Sequence, residues 1–190
     1  MNENLIRIFD VLISSFFLII LFPLFVFIGS IILLFNGRPI IFKQSRVGLY
    51  GKKFKILKFR TMTKNLNFDS EAERLTNFGK ILRRLSLDEL PQLINVIKKE
   101  MSIVGPRPLP KSIESKIPYE YIKKRRKILP GITGFSQINY SGKVRKLNDK
   151  VKLDILFVNN YTIHNYFKII MKTPLIVLRR LVRNKSTIIG

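Results

Sequence analysis

Val11 to Phe35, VLISSFFLIILFPLFVFIGSIILLF, runs for twenty-five residues without one charged side chain, and this stretch limits the fold more than any other. As an α-helix at ~1.5 Å per residue it covers roughly 37 Å, more than the ~30 Å hydrocarbon core of a bilayer. A cleaved leader fits poorly, because the run is too long and no small-residue cleavage site follows it. It reads as a retained membrane segment. Pro23 stands near its centre, where it removes a backbone hydrogen bond and predicts a kink. A kinked helix can span the bilayer, or bend and return to the side it entered from if protein or interface covers the broken backbone. Arg38, Lys43, Arg46, Lys52, Lys53 and Lys55 follow the segment and put the bulk of the chain on the cytoplasmic side. Glu3, Arg7 and Asp10 precede it and leave the topology of that end open.

With 35 Lys and Arg against 12 Asp and Glu, a net charge of +23, the chain calls for a polyanionic partner: nucleic acid, anionic membrane lipids or a phosphorylated substrate. A hydrophobic content of 46% favours the membrane over nucleic acid. At 190 residues one functional domain is expected, divided into a membrane-embedded segment over 1–36 and a cytoplasmic region over 37–190. There is no cysteine, so disulfides and thiol ligands are excluded. The one histidine, His164, lies in an aromatic stretch and reads as a packing or interfacial residue. Catalysis must then run on carboxylates, lysines, arginines, hydroxyls or a hard metal ion.

The predicted fold class is α+β, predominantly α-helical. IIF and FKILKF, around the turn glycines of GLYG, predict a short β-hairpin between Ile40 and Met62. GLYGKK is not a phosphate loop, because only two residues separate its glycines and no Ser or Thr follows the lysine. One helix is expected from Glu71 to Leu85, with Leu75, Phe78, Leu82 and Leu85 on one face. A second amphipathic helix is expected over Leu90, Leu93, Ile94, Ile97 and Met101, stopped by Gly105-Pro106-Arg107-Pro108. KKRRK, Lys123 to Lys127, reads as a solvated face suited to anionic headgroups, and PGITGF as a loop. Val151 to Val182 alternates apolar and basic groups as interfacial helices do.

SLDELPQL, Ser86 to Leu93, holds the chain's one adjacent acidic pair, Asp88 and Glu89. Pro91 sets a helix start nearby, so Asp88 as N-cap, or Ser86 with Glu89 as a capping box, is one reading. A helix start also favours an ionised Asp88, which a nucleophile needs, and it attracts phosphate. Lys58, Arg60, Arg83, Arg84 and Arg107 supply cations around it. Two adjacent acids point in different directions, so one can face a phosphorus atom while the other holds Mg²⁺.

KFRTM (Lys58 to Met62), SLDELPQLINVIKKEMSIVGPRP (Ser86 to Pro108) and PGITGFSQIN (Pro130 to Asn139) resemble the bacterial sugar transferases, the monotopic polyprenyl-phosphate phosphoglycosyl transferases. The resemblance runs from IRIFD (Ile6 to Asp10) to the basic carboxyl-terminal helices. It implies transfer of a sugar phosphate from a UDP-sugar to polyprenyl phosphate with release of UMP, on the cytoplasmic face of the bacterial inner membrane. It also implies that Asp88 is a covalent nucleophile, that Glu89 helps hold Mg²⁺, that Arg83 and Arg107 bind substrate, and that Pro23 breaks a re-entrant helix. Lys58 and Arg60 join the substrate-binding set, and nucleic acid drops out as a partner. Oligomeric state stays open, a homodimer among the alternatives. Two departures stand out: Phe22 precedes Pro23 where the family commonly has Ser, and YSGKVR follows Gln137-Ile138-Asn139 where it often has Gly-Arg, leaving Lys143 or Arg145 to supply the charge.

Overall fold

Pro23 divides the apolar run into two helices, α1 (Glu3–Ile20) and α2 (Phe22–Asn36), bent by 62° at Leu21. The computed structural model describes residues 3–63, 70–139 and 147–185. Lys143 and Arg145 therefore lie outside the described residues. Among the described residues no single helix is long and apolar enough to cross a membrane, but α1 and α2 together meet that length and composition.

Both ends of this bent pair are tied to the rest of the chain. On α1, Ile6, Asp10 and Ser14 form a buried stripe at helical spacing. Asp10 Oδ1 accepts from Ser102 Oγ (3.0 Å), the Ile103 amide (2.8 Å) and Tyr166 Oη (2.8 Å). Arg7 donates to the carbonyls of Val96 (2.6 Å) and Ile97 (2.9 Å). At the far end of α2, Arg60 Nη2 donates to the carbonyls of Asn36 and Gly37, the latter at 2.6 Å. Orphan carbonyls at a helix end need such donors.

The hairpin expected after Arg38-Pro39 is present: β1 (Ile41–Val47) and β2 (Lys53–Phe59) pair antiparallel from Ile41 opposite Phe59 to Val47 opposite Lys53. The single helix expected over Glu71 to Leu85 is instead two, α3 (Glu71–Arg74) and α4 (Asn77–Leu85). Leu75 leaves the helix to bridge Met62, and Thr76 caps α4 by accepting from the Gly79 amide at 3.0 Å. Gly79 is required because a Cβ there would lie 2.1 Å from the Thr61 carbonyl. The second expected helix is shorter than its apolar pattern: α5 (Gln92–Ile97) ends before Lys99, whose φ of 61° turns the chain. Met101 is fully buried all the same, packed with Phe54, Ile56 and Val96.

PGITGF is not wholly loop. β4 (Gly131–Thr133) pairs in parallel with β3 (Ser102–Val104), and a Cβ on Gly131 would lie 2.0 Å from the Gly105 nitrogen, so the two backbones need glycine to meet. Two short helices, α6 (Lys111–Glu114) and α7 (Tyr119–Arg125), separate these strands, and α8 (Phe135–Ile138) follows them. The KKRRK run is also not a uniformly solvated face. Arg125 is buried in an ion pair with Asp154, and Arg126 pairs with Glu114 at 2.6 Å, because the end of α7 turns inward. α9 (Leu147–Asn159) and α10 (Ile163–Lys185) close the fold, with Phe157, Tyr166 and Ile169 packed against Ile6, Val104 and Ile128. His164 is exposed near the start of α10.

Candidate active site

The acidic pair sits on a one-turn bracket between two helices. Ser86, at φ 59°, closes α4 by donating its amide to the carbonyl of Arg83 at 3.2 Å, and Leu87–Glu89 follows as a single 3₁₀ turn. Left-handed backbone is uncommon for a residue with a Cβ, and here it swings the chain from α4 onto the new axis. α5 begins only at Gln92, with Pro91 before it and no side-chain cap. The capping reading of Asp88, and of Ser86 with Glu89, is therefore not what the structure uses; Ser86 makes no side-chain cap bond either.

The two carboxylates occupy different environments. Asp88 is 7% exposed, and Lys58 Nζ stands 3.9 Å from its Oδ2, too far for a hydrogen bond. Among the described residues none is hydrogen-bonded to it. Glu89 Oε1 takes two short charge-assisted bonds, from Lys58 Nζ at 2.6 Å and Arg107 Nη2 at 2.7 Å. The acidities separate accordingly. Burial raises the pKa of Asp88 above the usual aspartate value, against the lowering charges of Lys58, Arg83 and Arg107 and with the like charge of Glu89. For Glu89 burial also acts upward, but the charges of Arg107 and Lys58 and their hydrogen bonds outweigh it and hold the carboxyl low. The helix start was expected to keep Asp88 ionised; with α5 short and starting later, it is the surrounding cations that oppose its burial.

Lys58, Arg83 and Arg107 gather at the pair as expected. Arg83 acts on Asp88 by charge while its Nε donates to Thr61 Oγ1 at 3.0 Å. Arg60 does not join them. Its buried guanidinium holds the end of α2, so its expected place among the substrate-binding cations is corrected to a structural one. Sequence reasoning missed Arg46 as a site residue. The hairpin register puts Arg46, Gln44 and Phe42 on the strand face that carries Lys58, and Arg46 lies within electrostatic reach of both Arg107 and Glu89. Burial, then the charge of Arg107, lowers its pKa from the ordinary arginine value. The alternation of β1 was readable, but the pairing partner that aims it was not.

No group of three or more His, Cys, Asp or Glu side chains is gathered among the described residues. Mg²⁺ does not need one, because it is commonly held by one or two carboxylates together with substrate phosphates and water. An adjacent Asp and Glu with Lys58, Arg83 and Arg107 beside them fits that donor set.

A family model described as bacterial sugar transferase matches residues 1–180. The chain is 39% identical over 173 residues to an uncharacterized sugar transferase, EpsL, of Bacillus subtilis (strain 168), spanning 88% of this chain and 84% of that protein. It is 35% identical over 202 residues to the exopolysaccharide production protein ExoY of Rhizobium meliloti (strain 1021), spanning 92% of this chain and 86% of that protein. Against the UDP-glucose:undecaprenyl-phosphate glucose-1-phosphate transferase of Klebsiella pneumoniae it is 36% identical over 181 residues, covering 88% of this chain and 38% of that longer protein.

Proposed function

Because the chain belongs to the bacterial sugar transferase family, we propose that it moves a sugar phosphate from a UDP-sugar to undecaprenyl phosphate, releasing UMP, at the first membrane step of glycoconjugate assembly. The observation that carries this reading is the unequal treatment of the two acids: Glu89 is clamped by two cations, while Asp88 is buried and, among the described residues, its carboxylate has no hydrogen-bond partner. A nucleophile must keep its lone pairs unengaged, and a charge-organising group must not.

Asp88 attacks the sugar-bearing phosphorus. A carboxylate oxygen–phosphorus bond forms as the bond to the UMP oxygen breaks, and the electron pair leaves with UMP. An oxygen of the lipid phosphate then attacks the same phosphorus, the aspartyl bond breaks, and the carboxylate is restored with a polyprenyl diphosphate sugar as product. Lys58, Arg83 and Arg107 neutralise the donor diphosphate, and a donor phosphate draws Lys58 and Arg107 from Glu89. Glu89, with donor phosphate oxygens, would hold Mg²⁺, which supplies further charge neutralisation on the transferring group. Burial of Asp88 limits the water that would otherwise hydrolyse the aspartyl phosphosugar.

The exposed apolar faces of α1 and α2, among them Leu12, Phe16, Ile19, Phe27, Leu34 and Phe35, suit a re-entrant position in the cytoplasmic membrane. Basic side chains on the neighbouring elements suit anionic lipids. The test uses purified protein in detergent with undecaprenyl phosphate, Mg²⁺ and a panel of UDP-sugars, and measures UMP. At least one donor is expected to release UMP, with a loss of about a thousandfold or more in Asp88→Asn. Donor alone is expected to leave a phosphosugar on Asp88, seen by mass spectrometry. No UMP from any donor, or full release by Asp88→Asn, overturns the reading.

A further inference from the structure

Arg107 reaches Glu89 from an exposed side chain, so its aim depends on its backbone. That backbone is held from two sides. On one, two backbone bonds join the chain after β3 to β4: the Gly105 amide donates to the Thr133 carbonyl at 2.9 Å and the Gly131 amide to the Pro106 carbonyl at 3.0 Å. On the other, Arg125 Nη2 donates to the Arg107 carbonyl at 2.8 Å. Arg125 is buried, and its Nε and Nη2 also bind Asp154 Oδ2 at 3.1 and 2.9 Å. Pro106 and Pro108 have no amide hydrogen to offer, so the carbonyls are the available handles.

We infer that Arg125, fixed by Asp154, is a positioning residue that acts through Arg107 to aim it at the donor phosphates. A buried ion pair is weak evidence for stability, since apolar replacements of similar volume are often as stable. What a guanidinium does here, and an ammonium does not, is bind a carboxylate through two nitrogens and a carbonyl through one of them in a single plane. The contacts run from α9 through α7 to the Pro-Arg-Pro turn and on to Glu89. The inference rests on the reading of Arg107 as a donor-binding group.

The test is a kinetic double-mutant cycle on the full chain in detergent, with Arg125→Lys, Arg107→Ala and the combination. kcat/KM for the UDP-sugar is read from UMP release and thermal unfolding is followed in parallel. Arg125→Lys is expected to lower kcat/KM by about tenfold or more, the scale of a small misplacement of a reacting group. In the Arg107→Ala background the same change is expected to cost less than about twofold. An equal loss in both backgrounds overturns the proposal and makes Arg125 purely structural. A silent Arg107→Ala overturns the underlying reading of Arg107 itself, a different result. If Arg125→Lys does not fold, Arg125→Met with Asp154→Leu removes both charges without leaving one unpaired. That variant is expected to unfold within a few degrees of the parent yet lose about tenfold or more in kcat/KM, again only when Arg107 is present.

Discussion

On the proposed mechanism Asp88 sets function against stability. Its carboxyl pKa is raised in the folded chain, chiefly by burial, so folding is favoured while the group is protonated and that advantage is lost as pH rises through the folded-state value. At neutral pH the folded protein therefore bears a buried charge that asparagine would not. Asp88→Asn is expected to raise Tm at pH 7, by ~2–4 °C per kcal/mol gained, and to show no gain below the ordinary aspartate pKa; scanning fluorimetry across pH checks both. On that mechanism the same shift is expected to move the acid limb of kcat/KM upward from the ordinary aspartate range. Lys58→Met removes the largest lowering charge on Asp88, so this limb is expected to move to higher pH and kcat/KM at neutral pH to fall by about tenfold or more. Asp88, Glu89, Lys58, Arg83 and Arg107 were named as a cluster from residue type, local order and the family resemblance, a reading that also drew in Arg60. Arg46, Arg125 and Asp154 were not, because strand register and helix packing decide what they face.

Hydrophobic period announced the elements better than it bounded them. Leu75 fits the apolar face of one long helix, yet its bridge to Met62 and the Thr76 cap divide that helix in two. Met101 keeps the i, i+3, i+4 pattern of α5 and reaches the core from beyond a left-handed turn, since burial was what the pattern reported. α4 is pressed on the chain just after β2 at Gly79. Gly79→Ala is expected to cost about 1–3 kcal/mol, the usual range for overpacking, and to weaken activity through the Arg83–Thr61 contact nearby. Urea unfolding in detergent beside UMP release measures both. Pro23 was the clearest case in which one residue announced both an element boundary and a change of direction.

At the scale of the molecule, the bent helix pair begins and ends on the same body. Arg7 and Asp10 fasten its start to α5, β3 and α10, and Arg60 fastens its end to the hairpin. Single cysteines introduced as Asn4→Cys and Lys43→Cys, into a chain that has none, are therefore expected to react with an impermeant thiol reagent from the same side of the membrane. Labelling from opposite sides would refute a re-entrant placement. Leu21, at the bend, lies eleven positions beyond Asp10, about 16 Å of helix, roughly half of a ~30 Å hydrocarbon core. In that placement the protein reaches into a single leaflet and provides no polar path through the other. A diphosphate sugar formed by the proposed reaction would then be left in the leaflet beside Asp88, and its passage to the far leaflet would need a separate carrier.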